Sequence, residues 1–349
     1  MEGTGVTMGW DVGDKFTEVC ALGADAAILE QEHVRTTKHS LEKQLARHPG
    51  ALVVLEVGVH SRWISDLVRG RGHEVIVANA RQVQLIYKRK SKTDRSDALL
   101  LARLGRFDPT LLAPIRHRSK SAQLDLACLR GRDMLVSART DLINHVRGIL
   151  KPFGVRVPDC GSGAFVRHAE EVVPQELVPA LSPVLECLRV LEGELGHYEK
   201  QVQQLAAVSY PETARLSQVG GVGPITSLAY VLTLEEPSRF KASRTVGGFL
   251  GLTPARDQSG ESDPQKRITK AGDPFLRKLL VQCAHYILGP FGQDSDLRRW
   301  GLRLAERGGK AAKKKAIVAV ARKLAVLLHR LWVSGKDYQP IGYGSTVIG

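Results

Sequence analysis

The chain has 349 residues, long enough for two or three domains around a sizeable core, and its 43% hydrophobic content is ordinary for a soluble protein. Its 50 Lys and Arg against 36 Asp and Glu leave a net charge of +14, which points to a polyanionic partner. The five cysteines lie far apart with no Cys-x-x-Cys pair, and the eleven histidines lack zinc-ligand spacing. A disulfide framework and a zinc site are therefore disfavoured, and buried free thiols are expected.

The charge is uneven. Residues 261–330 hold sixteen Lys/Arg and six Asp/Glu, and residues 85–120 hold ten and three. Two dense basic segments suit phosphate backbones, so nucleic acid is the expected partner. The longest apolar run, 316–332, is broken by Arg322 and Lys323 and is no membrane span. The N-terminus carries Glu2 and Asp11 and no signal-like apolar core, so a cytoplasmic location is expected.

In chain order, residues 7–12 (TMGWDV) read as a strand holding Asp11. Gly13-Asp14 is a turn, and 16–21 and 27–35 are further strands. Residues 40–47 have helical spacing. The apolar run 52–56 (LVVLE) is that of a buried strand and ends on Glu56. A helix over 61–69, a buried strand over 74–78, a basic helical segment from Val83 and a helix from Thr93 to Arg106 follow. The order βββαβαβα is that of a mixed α/β layer.

Asp94 and Asp97 are three residues apart and share a helix face. With Asp11 in the first strand and Glu56 at a neighbouring strand's end, they can converge on a divalent metal. Mg²⁺ takes oxygen ligands, usually one or two carboxylates with waters and substrate phosphates. Paired metals can stabilise both the attacking and leaving oxygens of phosphoryl transfer. Each acid also has a structural role open to it: Asp94 as a helix cap, Asp97 as a first-turn acid, Asp11 and Glu56 as strand ends. Together, beside a basic segment, they favour the metal site.

Residues 109–114 read as a linker, and 119–150 as a long helical stretch closed by Lys151-Pro152-Phe153-Gly154. After a loop over 155–163, Leu181, Val184, Leu188, Leu191, Leu195, Tyr198, Val202 and Leu205 follow the alternating three-and-four spacing of an a/d seam. Pro179 and Pro183 limit where this second helix begins. The two helices pair within the chain or between two chains; the sequence leaves both open. Val219-Gly220-Gly221-Val222-Gly223 precedes an apolar helical run to Leu234. Such a turn either brings the backbone of Gly221 and Gly223 to a phosphate, as in a helix-hairpin-helix, or simply joins two helices.

Residues 253–264 have the Pro/Gly/Ser/Asp composition of a surface loop and contain Ser259-Gly260. A serine is a nucleophile only when a base takes its proton and the charge it creates is stabilised; otherwise Ser-Gly is a turn. Lys266, Arg267 and Lys270 follow, and a Gly-Asp-Pro turn opens a helix with Arg277 and Lys278, cations suited to holding phosphate. Residues 294–307 read as a charged helix. The run 310–315, with Lys313, Lys314 and Lys315, is a phosphate contact or a solvated helix end, and 316–332 is an amphipathic helix. The tail 336–349 is expected to be flexible.

With Asp11, Glu56 and the Lys-Thr-Asp-Arg-Ser-Asp-Ala run of residues 92–98, the first part of the chain resembles the RuvC/RNase H nuclease fold. It also resembles the DEDD transposases of the bacterial insertion sequence one-hundred-and-ten family, relatives of the Piv DNA invertases. That family carries an Asp in the first strand, a Glu after an apolar strand and K-x-D-x-x-D-A. Its Glu is usually followed by Ala-Thr-Gly-x-Tyr, whereas this chain has Val57-Gly58-Val59-His60-Ser61-Arg62-Trp63. Further on, the glycine turn, Phe240, the Gly-Phe-Leu-Gly-Leu-Thr-Pro of 248–254, Ser259-Gly260 and the Ile-Thr-Lys-Ala-Gly-Asp-Pro-x-Leu-Arg of 268–277 form an ordered set. That set resembles the family's C-terminal transposase domain, and the resemblance runs from Asp11 to about Trp332.

The organisation expected is an α/β RuvC/RNase H-like domain over 1–112 and a helical coiled-coil arm over 113–208. A mainly α-helical transposase domain with a helix-hairpin-helix-like element follows over 209–335, then the tail. The resemblance implies a DNA transposase or recombinase whose nucleophile is Ser259, with Ser262 as the fallback. It further implies a phosphoserine intermediate and Mg²⁺ held by Asp11, Glu56, Asp94 and Asp97. The implied partners are DNA at the element ends and target, a bridge RNA encoded by the element, and further copies of the chain as dimer or tetramer. Two other readings stay open: a metal-dependent junction-resolving nuclease that uses activated water, and a non-catalytic nucleic-acid-binding protein whose acids are structural.

Overall fold

The computed structural model describes residues 5–80, 93–255 and 266–342. The chain divides into two compact units, residues 1–117 and 118–349. The basic segment expected to be helical from Val83 lies outside the described residues through residue 92.

The first unit is built on one mixed sheet. Its strands are β1 (Thr7–Val12), β2 (Phe16–Leu22), β3 (Ile28–Arg35), β4 (Leu52–Glu56) and β5 (Glu74–Ala78), in the order β3-β2-β1-β4-β5. β1, β2 and β3 run antiparallel as a meander, while β4 and β5 lie parallel to β1. The parallel strands are short apolar runs because helices cover both faces. β3 is one of the two edge strands, and its sequence ILEQEHVR is polar and charged, which discourages edge pairing.

Alternation along the strands sorts the two faces. Met8, Trp10, Val53 and Leu55 pack with Leu41 and Leu45 of α1 (Lys38–Arg47) and with Ile64 and Val68 of α2 (Ser61–Gly70). On the other face, Val54 packs with Leu101 and Leu104 of α3 (Asp94–Phe107), and Cys20 and Leu22 pack with Ala98 and Ala102. The segment expected as a linker at 109–114 is instead part of this unit. Leu112 is fully buried, its carbonyl accepts from Asn79 N, and Ile115 N donates to Val77 O, so the segment covers the outer side of β5.

The second unit is helical. α4 (Lys120–Leu150) and α6 (Val178–Gln204) form an antiparallel hairpin within the chain, which resolves the pairing the sequence left open. Gly131 lies against the Tyr198 hydroxyl, Arg132 pairs with Glu199 at 2.9 Å, and Arg139 with Glu192 at 3.1 Å. At the tip, Val146 and Leu150 form a small core with Phe165 and Ala169 of α5 (Phe165–Val172) and with Leu181, Leu185 and Leu188 of α6. Val184 of the expected seam packs against this core, and Leu185 is buried in it as well. α6 starts at Val178, ahead of both prolines. Pro179 sits in its first turn, where no N–H bond is lost, and Pro183 is accommodated inside the helix.

The base of the hairpin packs directly into the C-terminal helices. Ala122, Leu126, Leu129 and Val202 belong to the same core as α8 (Pro224–Leu234), α10 (Pro274–Leu288) and α12 (Gly309–Ser334). α7 (Glu212–Leu216), α9 (Val246–Phe249) and α11 (Asp296–Ala305) complete the unit. α8 is buried on every side, and its Tyr230 hydroxyl donates to Ala325 O of α12 at 2.6 Å.

Three further expectations change. α12 already contains the lysine run, so Lys313, Lys314 and Lys315 project from an exposed helical turn. The tail is held through residue 342: Asp296 N donates to Pro340 O and Gly342 N to Asp296 Oδ2. Of the cysteines only Cys20 and Cys283 are buried, and Cys187 is exposed on α6. Among the described residues, no helix is long and apolar enough to cross a membrane.

Candidate active site

The four acids singled out from the sequence occupy one end of the first unit. Trp10 pairs with Leu55, which makes Asp11 and Glu56 the next residues along two adjacent parallel strands. Both fall on the face that carries α3, by the same alternation that turns Gly9 and Val54 toward it. Two glycine contacts fix how α3 crosses that face. A Cβ on Gly105 would meet Val54 and Thr7, whereas a Cβ on Gly9 would stand 2.0 Å from Ala98 O and 2.4 Å from Ala102 N. α3 therefore runs against the direction of β1, and its first turn lies toward the end of β1 that holds Asp11. Asp97 is on the stripe of Leu101 and Leu104, and Asp94 on the stripe of Ala98 and Leu101, so both lie on the sheet-facing side.

The start of α3 is well defined. Thr93 accepts from Ser96 N while Ser96 Oγ accepts from Thr93 N, a reciprocal cap. Acids in such a first turn are favoured by the helix dipole, so this end tolerates its negative charge locally. Arg106 anchors the far end by donating to the carbonyls of Gly5 and Ala24. Around the acidic end, His60 Nε2 meets Asp14 Oδ1 at 3.1 Å, and Trp63 Nε1 donates to His60 Nδ1 at 3.0 Å. Glu18 is the cross-strand partner of Asp11, and its carboxylate is engaged by the His33 ring.

The donor set fits a hard cation in kind, because every candidate ligand is a carboxylate oxygen. Its placement supplies two pairs, Asp11 with Glu56 and Asp94 with Asp97. Among the described residues no group of three or more His, Cys, Asp or Glu side chains is arranged to hold an ion. Mg²⁺ needs only one or two carboxylates when waters and a phosphate complete its shell, so the pairs suffice in number.

Ser259 and Ser262 lie outside the described residues, but the two ends of their segment are defined. Pro254 and Ile268 form an antiparallel bridge. Ala255 N donates to Arg267 O, Thr269 N to Thr253 O and Lys270 N to Gly251 O. This ribbon holds residues 255 and 266 side by side. Glycine is required at its root: Gly251 has φ +67° and a Cβ there would stand 2.2 Å from Ala271 N, while Gly272 has φ +72° and would meet Phe249 O at 2.1 Å. Arg277, expected to hold phosphate, donates from Nη1 to Leu250 O and Ala271 O and so braces this root.

Asp273 is the residue the sequence undervalued. Its buried carboxylate caps α10, with Oδ1 accepting from Phe275 N and Leu276 N. Its Oδ2 meets Arg130 Nη2 at 2.8 Å and Arg118 Nη2 at 3.4 Å. Asp-Pro at a helix start was a legible capping signal, but the two arginines come from more than 140 residues away in sequence. Lys278 Nζ is likewise taken up by Asp133 of α4.

Beside the ribbon opens a cleft of about 1250 Å³, walled by the ribbon residues and by α11 and α12. Among the described residues, ten Lys and Arg and one acid, Asp296, line it. Lys266, Arg267 and Lys270 are on one wall, and Lys314 and Lys315 on another. Lys323 lies 4.1 Å over the Trp300 ring, and burial together with nearby Arg322 lowers its pKa. Of the glycine turn, Gly221 has φ +89° and lies against Tyr286, where a Cβ would stand 2.7 Å from Cδ1. Gly223 is the residue before α8, with no neighbour within 4 Å of a built Cβ.

Two transposase family models match the chain. Residues 8–154 match the DEDD transposase family of the IS110 type, and residues 213–295 match the family described as Transposase IS116/IS110/IS902. The first match carries with it a RuvC-like fold for the sheet-bearing unit. The chain is 30% identical over 321 residues to a probable family 20 transposase of Pseudomonas aeruginosa, covering 88% of this chain and 93% of that protein. It is 25% identical over 340 residues to the transposase for insertion sequence element IS1111A of Coxiella burnetii, covering 95% and 91%. The pilin gene-inverting protein of Moraxella lacunata is 23% identical over 285 residues, covering 79% of this chain and 78% of that protein.

Proposed function

The chain belongs to the IS110 family of insertion-sequence transposases, and from that premise we propose that it cleaves and rejoins DNA through a serine-linked intermediate. Ser259 Oγ attacks a DNA phosphodiester: an Oγ–P bond forms, one P–O bond of the strand breaks, and the departing sugar oxygen takes a proton. Attack by a hydroxyl of another strand reverses the step and frees Ser259. One phosphodiester is exchanged for another, so no ATP is needed.

What supports the reading is that Asp11 and Glu56 end adjacent strands on one sheet face, toward the end where the first turn of α3, with Asp94 and Asp97, lies. Asp11 and Glu56 would hold Mg²⁺ from the strand ends, and Asp94 and Asp97 from the first turn of α3. Bound there, Mg²⁺ supplies positive charge that neutralises the phosphate and lowers the pKa of an oxygen nucleophile. Arg277 braces the ribbon root, and with Lys266, Arg267 and Lys270 it would hold the phosphate. Gly221 and Gly223 offer backbone, and Lys313, Lys314 and Lys315 offer charge, to DNA further from the reaction. Ser259 and the four acids belong to different units. A bridge RNA and a homo-oligomer are the further partners of this reading.

The test is incubation with element-end DNA, the adjoining transcript and Mg²⁺, followed by a denaturing gel. A covalent protein–DNA band that is lost in Ser259→Ala and in Asp97→Ala is the expected result. Cleavage that persists in Ser259→Ala with no such band overturns the serine step. That outcome would favour a junction-resolving nuclease, a reading supported by the fact that all four acids lie in one unit without Ser259.

A further inference from the structure

We propose that the cleft between the ribbon and helices α11 and α12 binds unpaired nucleotides of the DNA strand that flanks the reacting phosphodiester, with Trp300 contacting a base and Lys323 its phosphate. The inference rests on the reading of Ser259 as the attacking group, because that reading places the reacting strand beside the ribbon.

Three observations carry it. The first is charge: among the described residues ten Lys and Arg and one acid line the cleft, a balance that favours a polyanion. The second is the lining between those cations, which is aliphatic and aromatic: Leu252, Ile268, Leu297, Trp300, Leu304 and Val326. Duplex DNA keeps its base faces stacked inside and offers phosphates and sugars outward, so it would satisfy the cationic rim and leave the apolar interior unfilled. An unpaired strand offers a flat π-face together with a phosphate at every step, the combination that charged grooves with aromatic platforms bind. The volume, about 1250 Å³, exceeds the roughly 300–1,000 Å³ of small-molecule sites, which leaves room for more than one nucleotide.

The third observation is position. Leu252, Pro254, Lys266 and Ile268 belong both to the cleft wall and to the ribbon that holds the two ends of the Ser259 segment. A strand lying in the cleft therefore leads to that segment. Lys323 stands over the indole of Trp300, so a cation and an aromatic ring already share one patch of the cleft. A base entering there gains ring contact, and its phosphate gains the ammonium.

The experiment uses the full chain with the divalent ion chelated, so that binding is read without cleavage. Labelled single-stranded DNA, the same sequence as duplex, and the same sequence as single-stranded RNA are titrated by fluorescence anisotropy, with tryptophan emission followed in parallel. The single DNA strand should bind more tightly than the duplex and quench tryptophan emission. Trp300→Phe keeps an aromatic in the core and should abolish the quench, although Trp10, Trp63 and Trp332 remain. Lys323→Gln, and separately the exposed Lys314→Gln, should each weaken single-strand binding by about tenfold or less. Quenching that survives Trp300→Phe, duplex binding as tight as single-strand binding, or a preference for RNA each overturns the assignment. The covalent-adduct gel is read apart from this assay. An absent adduct with intact Trp300-dependent binding removes the serine step alone, whereas an adduct with no Trp300 response removes the cleft assignment alone.

Discussion

Gly9→Ala is a small substitution with a large predicted effect. The new methyl would stand 2.0 Å from Ala98 O and 2.4 Å from Ala102 N, both backbone atoms of α3, so no side chain can swing aside to relieve it. Restoring a separation of about 3.5 Å requires the helix to lift by about 1.5 Å. Overpacking of this kind costs about 1–3 kcal/mol. For a unit of this size that is a melting decrease of about 4–8 °C per kcal/mol. The catalytic effect should be larger than the stability effect, because the lift moves Asp94 and Asp97 away from Asp11 and Glu56. A displacement near 1 Å in a reacting constellation costs about a hundredfold in rate. The assay is Mg²⁺-dependent adduct formation at a temperature well below both melting points, with Gly70→Ala as control, since nothing lies within 4 Å of a Cβ there. A Gly9→Ala protein with unchanged melting and unchanged rate would refute the seating of α3 over β1 and, with it, the placement of the acids.

Other outcomes follow from the same geometry. Asp273→Ala removes the cap of α10 and leaves Arg118 and Arg130 without their shared carboxylate; we predict a loss of about 3 kcal/mol or more, read as a lower urea midpoint with unchanged slope. His329 is buried, its Nε2–H donating to Pro237 O and its Nδ1 accepting from Ser243, and burial holds its pKa below the ordinary value of about 6.5. The unfolded chain then binds the proton more readily, so this contribution to stability is full above about pH 6.5 and is lost as pH falls toward the lower folded value. The melting temperature should fall on acidification from neutral pH, and less steeply in His329→Gln. Replacing Lys313, Lys314 and Lys315 together by Gln should weaken DNA binding without sequence preference and flatten its salt dependence by about one unit of slope for each phosphate no longer neutralised. An unchanged slope would place these lysines away from DNA.

Much of the first unit was legible because its signals are local. LVVLE and EVIVA are buried strands by composition, and α3 reads as starting at Thr93, which the structure makes its cap in place of Asp94. Alternation of period two, with the pairing of Trp10 and Leu55 that the fold supplies, turns Asp11 and Glu56 to one face. What the sequence did not carry was long-range. That residues 109–115 cover β5 depends on hydrogen bonds from Asn79 and to Val77, which no local pattern marks. The hairpin of α4 and α6 was visible as a seam, but its closure within one chain needed Gly131 against Tyr198, and its continuity with the C-terminal core needed Leu126 and Leu129 beside α8. Arg277 reads as a phosphate ligand by charge, and its Nη1 also braces two carbonyls, a role that its neighbours in sequence do not mark. The cleft was invisible for the same reason: Lys266, Trp300 and Lys323 are separated in the chain and meet only in the fold.

The most direct test of the serine reaction is to identify the atom that carries the DNA. The adduct formed with element-end DNA is digested with nuclease and trypsin, and the nucleotide-bearing peptide is sequenced by mass spectrometry. Cleavage after Arg256 and Lys266 isolates peptide 257–266, which contains both Ser259 and Ser262. The account predicts a nucleotide phosphate on Ser259. A phosphate on Ser262, on a peptide elsewhere in the chain, or on none at all would contradict it.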